Sequence, residues 1–243
     1  MSISISSSPD IQTAISTSSI LLVPYEASHV PTYHEWMKDE QIQAETASEP
    51  LTLEEEYAMQ RSWRTDADKL TFIACLPLPS ASSSANAPSS TTPLTLIPGQ
   101  FDTPTHLLGD VNLFLTPSTS TSPTLLTGEL ELMIAPTTHR RKGHGRAAIL
   151  SFLTYISAHL PAILSEYGRS QSPPIPEGDV RLEGLRVKIG VGNERSLGLF
   201  RGLGFAWEGK GEGEGEKVNY FGEVELWFKG ELTEEGMRGL RER

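Results

Sequence analysis

Arg140-Arg141-Lys142-Gly143-His144-Gly145 lies between a strand-like run, Leu130-Glu131-Leu132-Met133-Ile134-Ala135, and a helix-like run from Ala147 to Leu160. A strand that empties into a glycine loop opening a helix builds an anion site. The glycines let backbone N–H groups face a ligand with no side chain in the way, and the helix N-terminus adds about half a positive charge. Three cations just before the glycines point to a diphosphate-bearing ligand.

Three diphosphate patterns compete. A Walker loop needs G-x-x-x-x-G-K-S/T, and no lysine followed by Ser or Thr comes after Gly145. A dinucleotide fingerprint is met on paper by Gly143-x-Gly145-x-x-Ala148, but it wants an acidic residue about 20 positions on, at the end of a second strand. Glu166 has that spacing in Ser165-Glu166-Tyr167-Gly168, ahead of a Pro/Ser loop and not on a strand. The third pattern, R/Q-x-x-G-x-G/A, is the pyrophosphate loop of coenzyme A acetyltransferases, and Arg140 to Gly145 matches every specified position. Taken alone, the same glycines also suit a helix entry built for tight packing.

Downstream, Leu185-Arg186-Val187-Lys188-Ile189-Gly190-Val191 alternates with period 2 and predicts a half-buried strand. Asn193 is a good N-cap for a helix with Leu197, Phe200 and Leu203 or Leu199 on its apolar face, and Gly204 is placed to stop it. Here the chain resembles the GNAT superfamily of N-acetyltransferases, whose strand–Asn–helix–Gly-Phe segment follows the pyrophosphate loop in this order. Longer stretches resemble its eukaryotic N-acetyltransferase-nine-like branch: Leu22-Val23-Pro24-Tyr25, Tyr33-His34-Glu35-Trp36-Met37-Lys38, Ala47-Ser48-Glu49-Pro50-Leu51-Thr52-Leu53-Glu54, Glu56-Tyr57-Ala58-Met59-Gln60 and Gly109-Asp110-Val111-Asn112-Leu113-Phe114-Leu115. The likeness runs from about Leu21 to Phe228, broken by insertions.

The resemblance implies an α+β mixed sandwich, with a mostly antiparallel central sheet and one splayed parallel strand pair. It also implies acetyl-CoA as co-substrate and direct attack by a primary amine, with no covalent enzyme intermediate. By the same resemblance Met133, Ile134 and Ala135 hold the pantetheine arm, and a backbone N–H near Met133 or Ile134 polarises the thioester. Arg140, Arg141, Lys142, Gly143, His144, Gly145 and Arg146 serve the pyrophosphate, Asn193 reaches the pantetheine side, and Phe200 packs beside the cofactor where many relatives carry a tyrosine. Phenylalanine has no proton to donate, so the general acid is unassigned. Glu45 and Glu49 border the acceptor groove.

Glu129 and Glu131 share one face of their strand by period 2, at the edge where several members of the superfamily keep a base. Glu131 is the first candidate base and Glu129 the second. Two solvated glutamates on an exposed face is the competing reading. Two functional classes follow: an N-acetyltransferase acting on a primary amine, taken to be a protein α-amine or lysine, and a non-catalytic acyl-CoA-binding scaffold or sensor of the same fold.

Composition bounds the partners. A net charge of −11 over 243 residues argues against nucleic acid and anionic membrane, and suits a basic amine or basic protein segment. No apolar segment reads as reaching the roughly 20 residues that span a bilayer. The single cysteine, Cys75, lies in the apolar run Leu70 to Leu76 and reads as core. It fits a reducing compartment, so a cytoplasmic or nucleocytoplasmic monomer or weak dimer is expected. No Cys/His cluster or H-E-x-x-H helix is present, and no metal is implied.

The chain divides into a disordered tail at 1–19, one domain at 20–230, and a charged C-terminal tail at 231–243. Low-complexity insertions fall near 77–105, 116–127, 167–180 and 208–217, too poor in apolar residues to offset chain entropy. Helices are expected at His29–Lys38, from Thr52 to about Arg64 behind a Thr52-x-x-Glu55 capping box, at Gly145–Leu160 and at Glu194–Leu203. Strands are expected at Ile20–Pro24, Leu70–Leu76, Leu108–Leu115, Glu129–Ile134, Arg181–Val191, Phe205–Trp207 and Val218–Phe228.

Overall fold

A computed structural model describes residues 14–79, 97–119, 122–207 and 216–242. Eight strands form one sheet: β1 (Ile15–Ser16), β2 (Leu21–Pro24), β3 (Lys69–Cys75), β4 (Leu107–Thr119), β5 (Ser122–Ile134), β6 (Arg181–Gly190), β7 (Phe205–Ala206) and β8 (Glu223–Phe228). Their spatial order is β1-β2-β3-β4-β5-β6-β8-β7, and every pairing is antiparallel except β5 with β6. The helices are α1 (Val30–Trp36), α2 (Glu40–Thr46), α3 (Leu53–Thr65), α4 (His144–Ser170), α5 (Glu194–Gly202) and α6 (Glu234–Arg241). This is the α+β mixed-sheet sandwich the sequence implies.

Alternation along the strands sends side chains to two cores. On one face Leu22, Phe72, Val111, Leu113 and Leu130 meet Ile149, Phe152 and Ile156 of α4. On the other, Leu21, Val23, Ile73, Cys75 and Met133 meet Val30, Tyr33, Met37 and Ile42. Burial pushes the Cys75 thiol up to about 12, so it packs as an inert apolar group. The Thr52/Glu55 capping box forms as expected, Thr52 accepting from the Glu55 N–H and Glu55 from the Thr52 N–H.

Several boundaries differ from the sequence reading. The Ser/Thr/Pro stretch at 116–127 is an extension of the β4–β5 hairpin, because threonines suit a pleated ladder as well as a loop. Ile15 and Ser16, assigned to the N-terminal tail, pair with Leu22 and Leu21. The segment 231–243, read as a charged tail, contains α6, capped by Thr233 and docked through Met237 and Leu240 onto the core. The 167–180 insertion starts late, since α4 runs to Ser170. In the 77–105 insertion Asp102 is buried against His29, Nε2 to carboxylate 3.0 Å, which anchors that loop to the first helices. The rest of that insertion at 80–96, the tail before residue 14 and most of the Gly-Glu repeat at 208–217 lie outside the described residues. At 27 residues α4 is long and apolar enough to cross a bilayer, contrary to the sequence reading, but its Ala148, Ile149, Phe152, Leu153 and Ile156 are buried in the core of this fold.

Candidate active site

β5 and β6 run parallel from Leu125/Arg181 to Glu129/Arg186, and there the pairing stops. β5 continues to Ile134 and β6 to Gly190, the latter pairing only with β8. The two strands therefore splay apart. Gly128 sits just before the parting, and the space beside it is filled by leucine methyls, an added Cβ lying 2.6 Å from Leu185 Cδ2 and 2.9 Å from Leu113 Cδ1. The Ala135 N–H donates to the Leu108 carbonyl at 2.8 Å. Antiparallel alternation then turns the backbone groups of Met133 toward β4 and those of Leu132 and Ile134 into the opening. Of the three residues expected to hold a pantetheine arm, Ile134 alone faces the opening with its N–H, and Leu132 joins it; Met133 and Ala135 are corrected.

The glycine loop closes the broad end. Arg140, expected at the pyrophosphate, instead turns its side chain back: Nε donates to the Ile134 carbonyl at 2.8 Å and an Nη to Ala135 at 3.3 Å. It is a clamp on the strand exit. Gly143 is the N-cap of α4 with φ +86°, a left-handed conformation that glycine adopts without strain. It has no side chain to cap the helix, so the first-turn N–H groups of His144, Gly145 and Arg146 are presented outward with the positive helix end. Arg141 and Lys142 are exposed beside them. Gly145 packs closely, since a Cβ there would meet Leu132 Cδ2 at 3.2 Å and Leu199 Cδ2 at 3.4 Å. The Arg146 guanidinium donates to the Leu240 carbonyl of α6 at 3.4 Å, so its side chain serves the α6 terminus and only its backbone faces the anion position. His144 Nδ1 lies 3.3 Å from the Ser19 carbonyl.

An acidic face lies across the sheet from the loop. Glu129 accepts from Arg186 at 3.0 Å and pairs with Lys188 at 2.8 Å, while Arg186 reaches Glu225 at 3.3 Å. Glu129 is thus engaged by Arg186 and Lys188 in an ion-pair cluster. Glu131 has neither. Part of it meets solvent, but protein crowds it from beneath, and lost hydration followed by the charges of Asp110 and Glu129 raises its carboxyl to about 7, with Lys188 opposing. Glu131 faces Asn112 directly across the β4–β5 ladder, and Asp110 faces Met133. Asp110 is 2% exposed and accepts from Asn112 Nδ2 at 2.8 Å and from the Tyr33 hydroxyl at 3.4 Å.

Asn193 caps α5, its Oδ1 accepting from the Ser196 N–H at 3.1 Å. Phe200 is buried against Phe205, ring centroids 5.2 Å apart, and belongs to the core rather than to the site's lining, a further correction. Glu45 lies on α2, a helix the sequence reading missed. It accepts from Gln41 at 2.7 Å and stands 4.0 Å from Arg140, tying α2 to the strand exit. Glu49 is exposed in the following loop. Asp110, Asn112 and Tyr33 were not singled out as site residues. Their signal was in the chain: polar groups at alternate positions of Gly109-Asp110-Val111-Asn112, an otherwise apolar strand. Among the described residues no group of three or more His, Cys, Asp or Glu is placed to hold a metal ion.

The fold and the sequence have counterparts in known proteins. A family model described as an acetyltransferase (GNAT) domain matches residues 19–206. The chain is 38% identical over 235 residues to an N-acetyltransferase 9-like protein of Schizosaccharomyces pombe, covering 88% of this chain and 94% of that one. It is 40% identical over 187 residues to the human alpha/beta-tubulin-N-acetyltransferase 9, covering 76% and 72%. Among solved structures, spermidine N-acetyltransferase from Vibrio cholerae in complex with CoA and spermine superposes at a TM-score of 0.52 with 17% identity over 87% of this chain and 94% of that one. Apo RimL, a ribosomal-protein alpha-N-acetyltransferase, superposes at 0.53 with 12% identity over 88% and 92%. The chain belongs to the GNAT family and is an N-acetyltransferase that transfers an acetyl group to an amine.

Proposed function

We propose that this enzyme takes its acetyl group from acetyl-CoA and delivers it to an amine carried by a protein, with Glu131 as the base. The observation that carries the reading is the position of Glu131, two residues past the last β5–β6 pair, with no ion-pair partner among the described residues and a carboxyl raised to about 7. The features of the opening suit the donor. Leu132 and the Ile134 N–H face the opening, where a chain of amides could pair with them, and the α4 terminus with Arg141 and Lys142 offers N–H groups and positive charge to a diphosphate. When bound, acetyl-CoA supplies the activated thioester. The chain's own residues do the rest: Glu131 accepts a proton from the incoming ammonium at a carboxylate oxygen, and the strand edge fixes orientation.

Two observations favour a protein acceptor. Relatives at 39% and 40% identity are named alpha/beta-tubulin-N-acetyltransferases. The face that bears Glu131 also continues along β5 into a polar cleft of about 280 Å³ lined by Thr127, Glu183, Arg186 and Trp227, room for chain beyond a reacting amine. Thiol release from acetyl-CoA, measured with peptides bearing a free α-amine or an internal lysine and with spermidine, tests the reading. Turnover with a peptide is expected. A protein that acetyl-CoA stabilises against heat but that acetylates none of these amines would be the acyl-CoA-binding scaffold instead.

A further inference from the structure

Asp110 is a buried carboxylate that the reaction outlined above does not use. It projects from β4 on the same face as Asn112, and its ladder position makes it the diagonal neighbour of Glu131, one step along from the Asn112/Glu131 pair. Its hydrogen bonds come from an amide and a phenol, Asn112 Nδ2 at 2.8 Å and Tyr33 Oη at 3.4 Å, both to Oδ2. Among the described residues no Lys or Arg is paired with it. If packing were its only role, an apolar side chain would serve better, because a buried carboxylate without a cation carries a desolvation cost that hydrogen bonds only partly offset. The groups around the pair are mostly acidic or phenolic: Tyr33 on α1, Glu56 on α3, Tyr25 after β2, Glu129 on β5 and Glu223 on β8. Lys188 on β6 is the cation that lowers the Glu131 carboxyl, and it is itself paired with Glu129.

We propose that Asp110 is a positioning residue for acetyl transfer: fixed behind Glu131 by Tyr33 and Asn112, its negative charge makes Glu131 the stronger proton acceptor. The arrangement separates two carboxylates by environment. Asp110 is enclosed and hydrogen-bonded to donors that favour its anion, so it supplies charge. Glu131 is open to the acceptor groove, so it exchanges the proton. Burial raises the Asp110 carboxyl, while the Asn112 and Tyr33 donors act the other way and favour its anion. Moving the proton from acceptor nitrogen to a Glu131 oxygen then neutralises one of two neighbouring charges, and the repulsion between them assists the transfer.

This inference rests on Glu131 being the base, and the test separates the two. The kcat/KM profile against pH is measured for wild type and Asp110→Asn, alongside the 13C carboxyl titration of Glu131 in the free protein, assigned by its loss in Glu131→Gln. Removing the Asp110 charge is expected to lower both the acid limb and the Glu131 titration by about one pH unit, with KM for the acceptor little changed. An unmoved Glu131 titration overturns the proposal whatever the activity. A moved titration in a protein whose activity ignores Glu131→Gln upholds the coupling and removes the base assignment instead. If Asp110→Asn does not fold, Tyr33→Phe replaces it: loss of the phenolic donor should raise the Asp110 titration and shift that of Glu131, and no movement of either overturns the proposal.

Discussion

Glu129 and Arg186 are at once the last register pair of the parallel β5–β6 ladder and an ion pair at 3.0 Å. The bridge therefore sits at the vertex where the sheet opens, and Lys188 on the next outward turn of the same strand grips the same carboxylate. Glu129→Gln should keep acetylation and cost stability, about 1 kcal/mol for a partly screened pair, or a fall of roughly 2–4 °C in Tm for a domain of this size. Differential scanning calorimetry beside an activity assay checks it. A loss of turnover with unchanged Tm would return Glu129 to the mechanism.

Gly143→Val should weaken coenzyme A binding while the protein still folds. Nothing lies within 4 Å of an added Cβ there, but its φ of +86° is one that a β-branched residue resists, so the loop must rearrange. Loss of at least tenfold in affinity, about 1.4 kcal/mol, is expected by isothermal calorimetry. Gly145→Val should lower stability as well, because its side chain would press on Leu132 and Leu199. Arg141→Ala should do less than either, removing one exposed cation among several donors. Unchanged affinity in Gly143→Val would mean that the diphosphate binds elsewhere.

Glu131→Gln should lower turnover by about 10²–10⁴ without a matching loss of coenzyme A affinity, because base assistance acts on the acceptor. With its carboxyl near 7, the wild-type profile should fall as pH drops through that value, when Glu131 takes up a proton and can no longer accept one. The deficit of the variant should shrink as pH rises toward the pKa of the acceptor amine, where free amine needs no base. Superimposable pH–rate curves for the two proteins would end the assignment.

Glu56 on α3 is 1% exposed, with Oε2 lacking a hydrogen-bond partner and the His34 ring nitrogen Nδ1 3.9 Å from Oε1. Burial raises its carboxyl to about 7. The folded protein thus holds this proton more tightly than the unfolded chain, and each tenfold gain in proton affinity is worth about 1.4 kcal/mol. That contribution to stability is complete below the ordinary carboxylate range and is lost as pH rises through about 7. Chemical denaturation from about pH 5 to 8 should show stability falling with pH, and Glu56→Gln should flatten the slope. An equally steep slope in the variant would place the titration on other groups.

The strand, the glycine loop and the two downstream elements were legible in the chain because each is specified locally, by period, cap and turn chemistry. The partners of long side chains were not. Arg146 reaches Leu240, 94 positions away, and Arg140 folds back onto its own strand, and neither contact leaves a local pattern. Glu129 and Glu131 are equivalent by period 2. What distinguishes them is Arg186 and Lys188, brought alongside by a crossover through α4. Composition also misled in both directions. Charge concealed the Met237/Leu240 stripe of α6, and serines and threonines concealed the outer half of the β4–β5 hairpin.

The parting of β5 from β6 places two free strand edges in the middle of a sheet. The outermost strands β1 and β7 are only two residues long, which gives a stray strand little to pair with. Leu130 to Ile134 is different: a mostly apolar, β-favouring stretch whose Leu132 backbone groups and Ile134 N–H face the gap, the kind of edge that a stray strand can pair with. Gly145 and Leu199 pack close to the Leu132 side chain at this edge. On the reading proposed above, a donor molecule lying along that edge would take the place of a ninth strand. On that reading one occupant would serve both catalysis and solubility, and light scattering of the protein with and without coenzyme A is expected to show less self-association with it.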